Sequence, residues 1–323
     1  MRGWPAMNLM RYKWLFVTIF VSTMIASLAA WAAFGLNEGI DFTGGTVIRY
    51  PLTAAQYARV NSGAIKRLLE SGDLARLRLK PGPPQPYSHR DVATGEDVYG
   101  IMIKTRALKG WAEQRAILAA LNGYFGGDVS RERLQISMVD PAIGRETVRN
   151  ALLAVLLASV LILIYIAFRF EFKSGVAGVV ALIHDVLLVI GVFALLHKEI
   201  SSAIIAALLT IIGYSINDTI VVFDRIRENL RNRRKGQSFE ELVNESILQT
   251  MQRSLNTSAT TVLAILVLYV VGAESIKEFC LALIVGITSG TYSSIFIASP
   301  IWAIWKGWEE RRQLAGRAAA AAK

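Results

Sequence analysis

A single cysteine, Cys280, stands in the 323 residues of this chain, so an internal disulfide is excluded. It lies at the mouth of an apolar run, where plain packing is its expected role. Charge is sparse: Asp, Glu, Lys and Arg make up 19% of the residues against 53% hydrophobic, and the mean hydropathy is +0.41. A soluble domain of this length rarely averages so apolar. There are three histidines, and no metal-ligand spacing is found. A phosphate-binding loop is missing, as is a nucleophile with a convincing base. Neither an enzyme nor a cofactor or metal is therefore expected. The net charge of +10 invites a nucleic-acid reading. There is no zinc-ligand cluster and no aromatic-studded basic strand, and the basic residues gather beside apolar runs, so the expected partner is a lipid bilayer and not nucleic acid.

What the chain has instead is long apolar blocks. A helix needs about 20 apolar residues to cross the hydrocarbon core. Segments 14–36, 151–168, 175–196, 201–223, 256–272 and 279–305 meet or approach that length. The expected organisation is an N-terminal segment 1–13, a first transmembrane helix 14–36, a polar domain 37–149, transmembrane helices two to six within 150–305 with a basic loop 224–255, and a tail 306–323. Arg2, Arg11 and Lys13 precede the first span, and Arg169 and Lys173 lie in the second connection. Arg225, Arg227, Arg231, Arg233, Arg234, Lys235 and Arg253 crowd the fourth, and Lys306, Arg311, Arg312 and Arg317 follow the last span. The alternate short connections hold only Lys198 and Lys277. By the positive-inside rule both termini are cytoplasmic and the large loop is periplasmic, in a multi-pass protein of the inner membrane. Trp14, Trp31, Trp302, Trp305 and Trp308 sit where an aromatic belt is expected. Ala30-Trp31-Ala32 after a basic start also fits a cleaved leader, which would leave five spans.

Within the polar domain, periodicity predicts strand 46–52, helix 54–70, strand 74–80, a rigid proline-rich connection 81–86, strand 98–105, helix 111–125 closed by Gly126 and Gly127, and strand 134–139. That is βαββαβ, a ferredoxin-like α+β domain with one sheet face covered by two helices. His89 is expected as a solvated residue of the proline-rich loop. A docking or handling role, without catalysis, suits such a domain.

Ionisable groups within spans are costly, about 2.5–3.5 kcal/mol for a central Asp, and mark functional sites. Asp218 lies in the fourth span within Gly213-Tyr214-Ser215-Ile216-Asn217-Asp218-Thr219, and Asp185 in the third beside His184. Arg253, Thr257 and Thr261 share a helical face, widened by Asn256 and Thr260. If the fourth and fifth helices are neighbours, Asp218 and Arg253 can meet as a proton-sensitive pair. Asp218 is the expected proton-relay carboxylate, Asp185 stands equally between relay and buried structural pair, and Asn217 and the hydroxyl residues are supporting. Gly286 and Gly290, flanked by Ser289, Ser293 and Ser294, are expected to serve close packing rather than chemistry.

The run Gly39-Ile40-Asp41-Phe42-Thr43-Gly44-Gly45-Thr46 resembles the signature turn of the SecD/SecF family. The runs from Gly213 to Asn229, from Arg253 to Thr261 and from Ala181 to Val186 resemble that family's membrane motifs, and the topology matches along nearly the whole chain. The resemblance implies half of a resistance-nodulation-division (RND) bundle, pairing with SecD beside the SecYEG channel. It also implies proton-motive force, not a cofactor, coupled to movement of a translocating preprotein, with Asp218 and Arg253 as relay residues. Val139-Asp140-Pro141 departs from the usual Val-Gly-Pro of the family at the entry to the second span. An RND-type antiporter of small molecules and a non-transporting membrane scaffold are the alternatives. One domain of about 110 residues is small for a drug pocket, which weighs against the antiporter.

Overall fold

The computed structural model describes residues 7–90, 97–130, 133–169 and 171–321, so Arg2 lies outside the described residues. After a 3-10 turn at Leu9–Tyr12, α1 (Lys13–Phe34) leads into a two-residue strand β1 (Asn37–Glu38), a single turn α2 (Ile40–Thr43) and β2 (Gly45–Leu52). Then come α3 (Ala54–Tyr57), α4 (Ser62–Glu70), α5 (Gly72–Ala75), β3 (Gln85–Arg90), β4 (Asp97–Thr105), α6 (Trp111–Phe125) and β5 (Gln135–Val139). The rest is helical apart from β6 (Glu199–Ile200): α7 (Pro141–Arg169), α8 (Phe172–Leu195), α9 (Ser202–Arg231), α10 (Phe239–Val271), α11 (Glu274–Ser293) and α12 (Ser299–Ala321). Between the last two the helix widens into one π turn, Ser294–Ala298. Pro300 has no N–H to offer Phe296, and a wider turn lets the helix pass it without breaking. Among the described residues six segments are long and apolar enough to span a membrane, α11 and α12 counting as one.

Four antiparallel strands in the order β3-β4-β2-β5 make the sheet of the small domain, which is the ferredoxin-like order. Ile48, Tyr50, Ile101 and Ile103 project from one face into a core with Ile65 and Leu69 of α4 and Ile117 and Leu121 of α6. Tyr50 is fully buried and donates its hydroxyl to Asn122 at 2.7 Å. Helix α6 ends where Gly126 takes φ 63°, a left-handed C-cap conformation that suits glycine.

Three sequence expectations are corrected in this region. Segment 54–70 is two helices, because Thr53 and Gln56 form a capping box around α3 and Asn61 caps α4 afresh. Segment 74–80 is not a strand: Leu74 belongs to a helical turn, and Arg78 and Lys80 both take φ 48°, bending the chain so that Leu79 enters the core. The second strand is instead β3, and His89 lies in it rather than in a loop. Pro86 is tolerated because β3 is an edge strand, where a missing N–H can face outward. Periodicity could not reveal this, since proline argues against a strand everywhere else.

Helices α8, α9 and α11 form the centre of the membrane bundle, and α1, α7 and α10 lie around them with large exposed apolar faces. Small residues set the close approaches. A Cβ on Gly191 would stand 2.5 Å from that of Ser27, so α1 sits directly on α8. Replacing Gly191 with Ala should destabilise the folded protein by about 1–3 kcal/mol through overpacking. Thermal unfolding in mild detergent reads this, and an unchanged midpoint would refute the contact. Trp302 is 2% exposed and packs on Phe223 and Phe239, so it is a core residue and not a member of the aromatic belt, whereas Trp14, Trp31 and Trp308 are exposed. Cys280 is fully buried.

The segment 224–255 is no loop. Helices α9 and α10 run on past their apolar parts and meet at residues 232–238, where Ser238 and Glu241 form a capping box. This hairpin gathers one end of the bundle. Asn244 accepts from the backbone N–H of Leu9 at 2.7 Å, Lys13 pairs with Glu240, and Arg233 makes two bonds to Glu310. Lys306 pairs with Glu171 and Lys173 with Glu309. The basic connections thus share one end of the molecule, and the small domain occupies the other.

Candidate functional site

The signature turn fixes the start of α9. Asp41 accepts from the backbone N–H of Ser202 at 3.0 Å and from its hydroxyl at 2.6 Å. Ser201, the helix's own capping position, makes no such bond, so a residue 161 positions away caps it instead. Phe42 is buried among Val189, Phe193, Ile200 and Ile204. Gly44 has φ 72°, and a Cβ on Gly45 would stand 2.5 Å from the carbonyl oxygen of Thr105. Strands β1 and β6 pair in parallel, and Lys104 of β4 bridges to Glu199 at 2.7 Å. The small domain is therefore tied directly to the end of α9, the helix that carries Asp218. Removing the cap by Asp41→Ala should lower stability by about 0.5–2 kcal/mol, and Asp41→Asn should recover most of it. Equal unfolding midpoints for the Ala variant and the parent would show that the cap contributes nothing.

The two intramembrane carboxylates have opposite surroundings. Asp185 is fully buried and saturated: Ser215 and Ser293 donate to Oδ2, each at 2.7 Å, and Ser289 to Oδ1 at 2.6 Å. His184 presents Nδ1 to Oδ1 at 3.1 Å, and its other ring nitrogen meets Thr23 of α1 at 2.9 Å. One carboxylate thus ties α8 to α9 and α11, with His184 extending the network to α1. Ser289 and Ser293, expected only to pack, are its hydrogen-bond donors. The glycines beside them behave as expected, since a Cβ on Gly290 would stand 2.8 Å from that of Ser215.

Asp218 is 4% exposed, yet its one hydrogen bond among the described residues is long, 3.4 Å from the hydroxyl of Ser258. Ser254 lies beside the same carboxylate and acts on it, but among the described residues its buried hydroxyl makes no hydrogen bond of normal geometry. Thr291 of α11 donates to Ser258 at 2.5 Å, extending the hydroxyl chain to a third helix. Such a carboxylate is shielded from solvent but, unlike Asp185, is not locked by short hydrogen bonds.

Arg253 does not form an ion pair with Asp218. It lies close enough to act on that carboxylate electrostatically, but its side chain is exposed. The expected stripe does share one face of α10, turned outward: Asn256, Thr257 and Thr260 are exposed with Arg253, and Thr261 is half-buried against the Tyr214 hydroxyl at 3.2 Å. Ser254 and Ser258, one position further on, face Asp218 instead. A rotation of about 100° per residue separates the two faces. Asn217 is also exposed, and it lines a cleft of about 680 Å³ with Arg253, Asp224 and Tyr165. The i, i+4 repeat of Ser254 and Ser258 was visible in the sequence, but only the packing of α9 on α10 shows which repeat faces inward. No group of three or more His, Cys, Asp or Glu side chains among the described residues could hold a metal ion.

Comparison with known proteins agrees with this architecture. Residues 122–308 match the family model "Protein export membrane protein SecD/SecF, C-terminal", and residues 29–55 match that of the SecD/SecF GG motif. Protein translocase subunit SecF of Alicyclobacillus acidocaldarius is 37% identical over 98% of both chains. Protein translocase subunit SecDF of Thermus thermophilus is 42% identical over 88% of this chain but only 36% of its own length. A crystal structure of SecDF from Thermus superposes with a TM-score of 0.77 at 36% identity, covering 94% of this chain and 39% of that one. With its signature turn, its six-helix bundle and this agreement along nearly its full length, the chain belongs to the SecD/SecF family of protein-export membrane proteins.

Proposed function

We propose that this chain is the SecF-type subunit of a Sec protein translocase and that, with SecD, it couples proton-motive force to movement of exported polypeptides past SecYEG. The observation that carries this reading is the pairing of a shielded, weakly bonded Asp218 with an outward polar stripe on α10. Polar side chains exposed at the depth of a bilayer call for a proteinaceous cover or a water path. Relatives in which SecD and SecF form one chain, as in Thermus thermophilus and Bacillus subtilis, make SecD the natural cover. The basic end of the bundle would lie in the cytoplasm with both termini, and the small domain outside. A proton moving down the gradient releases about 2.3 kcal/mol per 100 mV, enough to bias a conformational equilibrium without nucleotide. In the proposed cycle Asp218 is drawn toward Arg253 when charged and released when protonated. The capped start of α9 carries the resulting motion to the small domain.

Site-specific photo-crosslinking tests the reading. A photoreactive residue at position 256 or 260 should capture SecD in the native membrane, and one on the small domain should capture a preprotein stalled in transit. Capture of lipid alone at both stripe positions would remove the partner assignment.

A further inference from the structure

The sheet of the small domain has a second face, opposite its helices, and this face is turned toward the outer ends of α10 and α11. Between them lies a cavity of about 950 Å³. Arg49 of β2, Arg133 and Lys277 of α11 all line it, and among the described residues no acidic side chain does. Tyr87 of β3 lies across Gly100 on the cavity wall, where burial pushes its phenol above the usual value while Arg49 beside it pulls the other way. The floor is Val271–Ala273, the point at which the fifth span leaves the membrane.

Two features identify the class of ligand. The first is charge: two arginines, Arg49 and Arg133, line one cavity, and their planar forks suit phosphate. The second is what lies beneath. Val270 and Val271 are 68% and 80% exposed, so α10 presents open apolar surface directly beneath the cavity floor, well beyond the polar stripe that ends at Thr261. A soluble anion has no use for such a surface, whereas a molecule with an anionic head and acyl chains fills both parts. A preprotein segment could use the charge and the tyrosine, but it would leave the apolar surface bare.

The geometry points to a specific site for one anionic phospholipid, drawn from the leaflet on the side of the small domain, its phosphate held by Arg49 and Arg133 and its chains lying along α10. Such a lipid would fill the gap between the domain and the bundle.

The test uses the full chain in proteoliposomes containing photoactivatable phosphatidylglycerol, with adducts mapped by mass spectrometry. Adducts should fall on Val271–Ala273 and on the strand carrying Tyr87. They should drop at least fivefold in Arg49→Gln/Arg133→Gln and persist in Arg49→Lys/Arg133→Lys, which keeps the charge. Both positions are exposed, and unfolding midpoints equal to the parent's would show that the variants fold. Excess phosphatidylcholine should compete poorly. Undiminished labelling of these segments in the Gln variant would overturn the proposal. So would competition by millimolar inorganic phosphate, which marks a simple ion site, or displacement by an acidic peptide, which marks a polypeptide site.

Discussion

Replacement of Asp218 by Asn should abolish the response of protein export to an imposed proton gradient while leaving the folded subunit and its assembly intact. The side chain keeps its size and an acceptor for the Ser258 hydroxyl, now 3.4 Å away, but it can no longer take up and release a proton. The original carboxylate makes few bonds, so little structure depends on its charge, and the unfolding midpoint should shift by the equivalent of less than about 1 kcal/mol. Gradient-stimulated export in vesicles should fall at least about tenfold, the loss expected when the energy of proton movement, about 2.3 kcal/mol per 100 mV, no longer biases the cycle. Arg253→Lys should give an intermediate defect, since the charge stays and the planar fork is lost. Export that still rises normally with the gradient in Asp218→Asn vesicles would end the relay assignment.

Asp185→Ala should do the reverse, damaging the fold first. Its removal leaves the hydroxyls of Ser215, Ser289 and Ser293 and the His184 ring facing an apolar gap. Each buried donor left without an acceptor costs about 1–3 kcal/mol. Local carbonyls relieve part of this, as Gly290 already does for Ser293 at 3.2 Å. A net loss of about 3 kcal/mol or more remains, enough to remove most folded protein from the membrane. Asp185→Asn, which keeps one acceptor oxygen and lets the serine hydroxyls reorient, should accumulate to intermediate levels. The measurements are membrane abundance and thermal unfolding in mild detergent. A stable Asp185→Ala protein that has lost only its proton response would place Asp185 in the relay and refute the structural role.

Hydropathy alone separated the six spans, because burial of a continuous apolar run in lipid depends on composition and length and hardly on neighbours. Helix α6 was legible to the residue, since Trp111–Phe125 keeps one period and Gly126 ends it with a conformation few other residues adopt. The strand at Gln85–Arg90 was not. Its proline is acceptable only at an edge, and edge position is a property of the assembled sheet. The hairpin beyond the fourth span was hidden for a similar reason. Its charged residues read as a loop, yet Leu242, Val243 and Ile247 bury one side of it against α9 and α12.

The family signature, the ring of basic connections, the two intramembrane carboxylates and the polar repeat of the fifth span were all properties of the sequence, because each rests on residue type and local spacing. Which carboxylate is locked and which is free was decided by the tertiary structure alone. Asp185 and Asp218 are chemically identical and similarly costly to place in a membrane. Their difference is that three serines from two other helices converge on one at short distance, while among the described residues the other receives a single long bond. Hydrogen bonds act only at contact distance, so that distinction comes into being when α8, α9, α10 and α11 pack together.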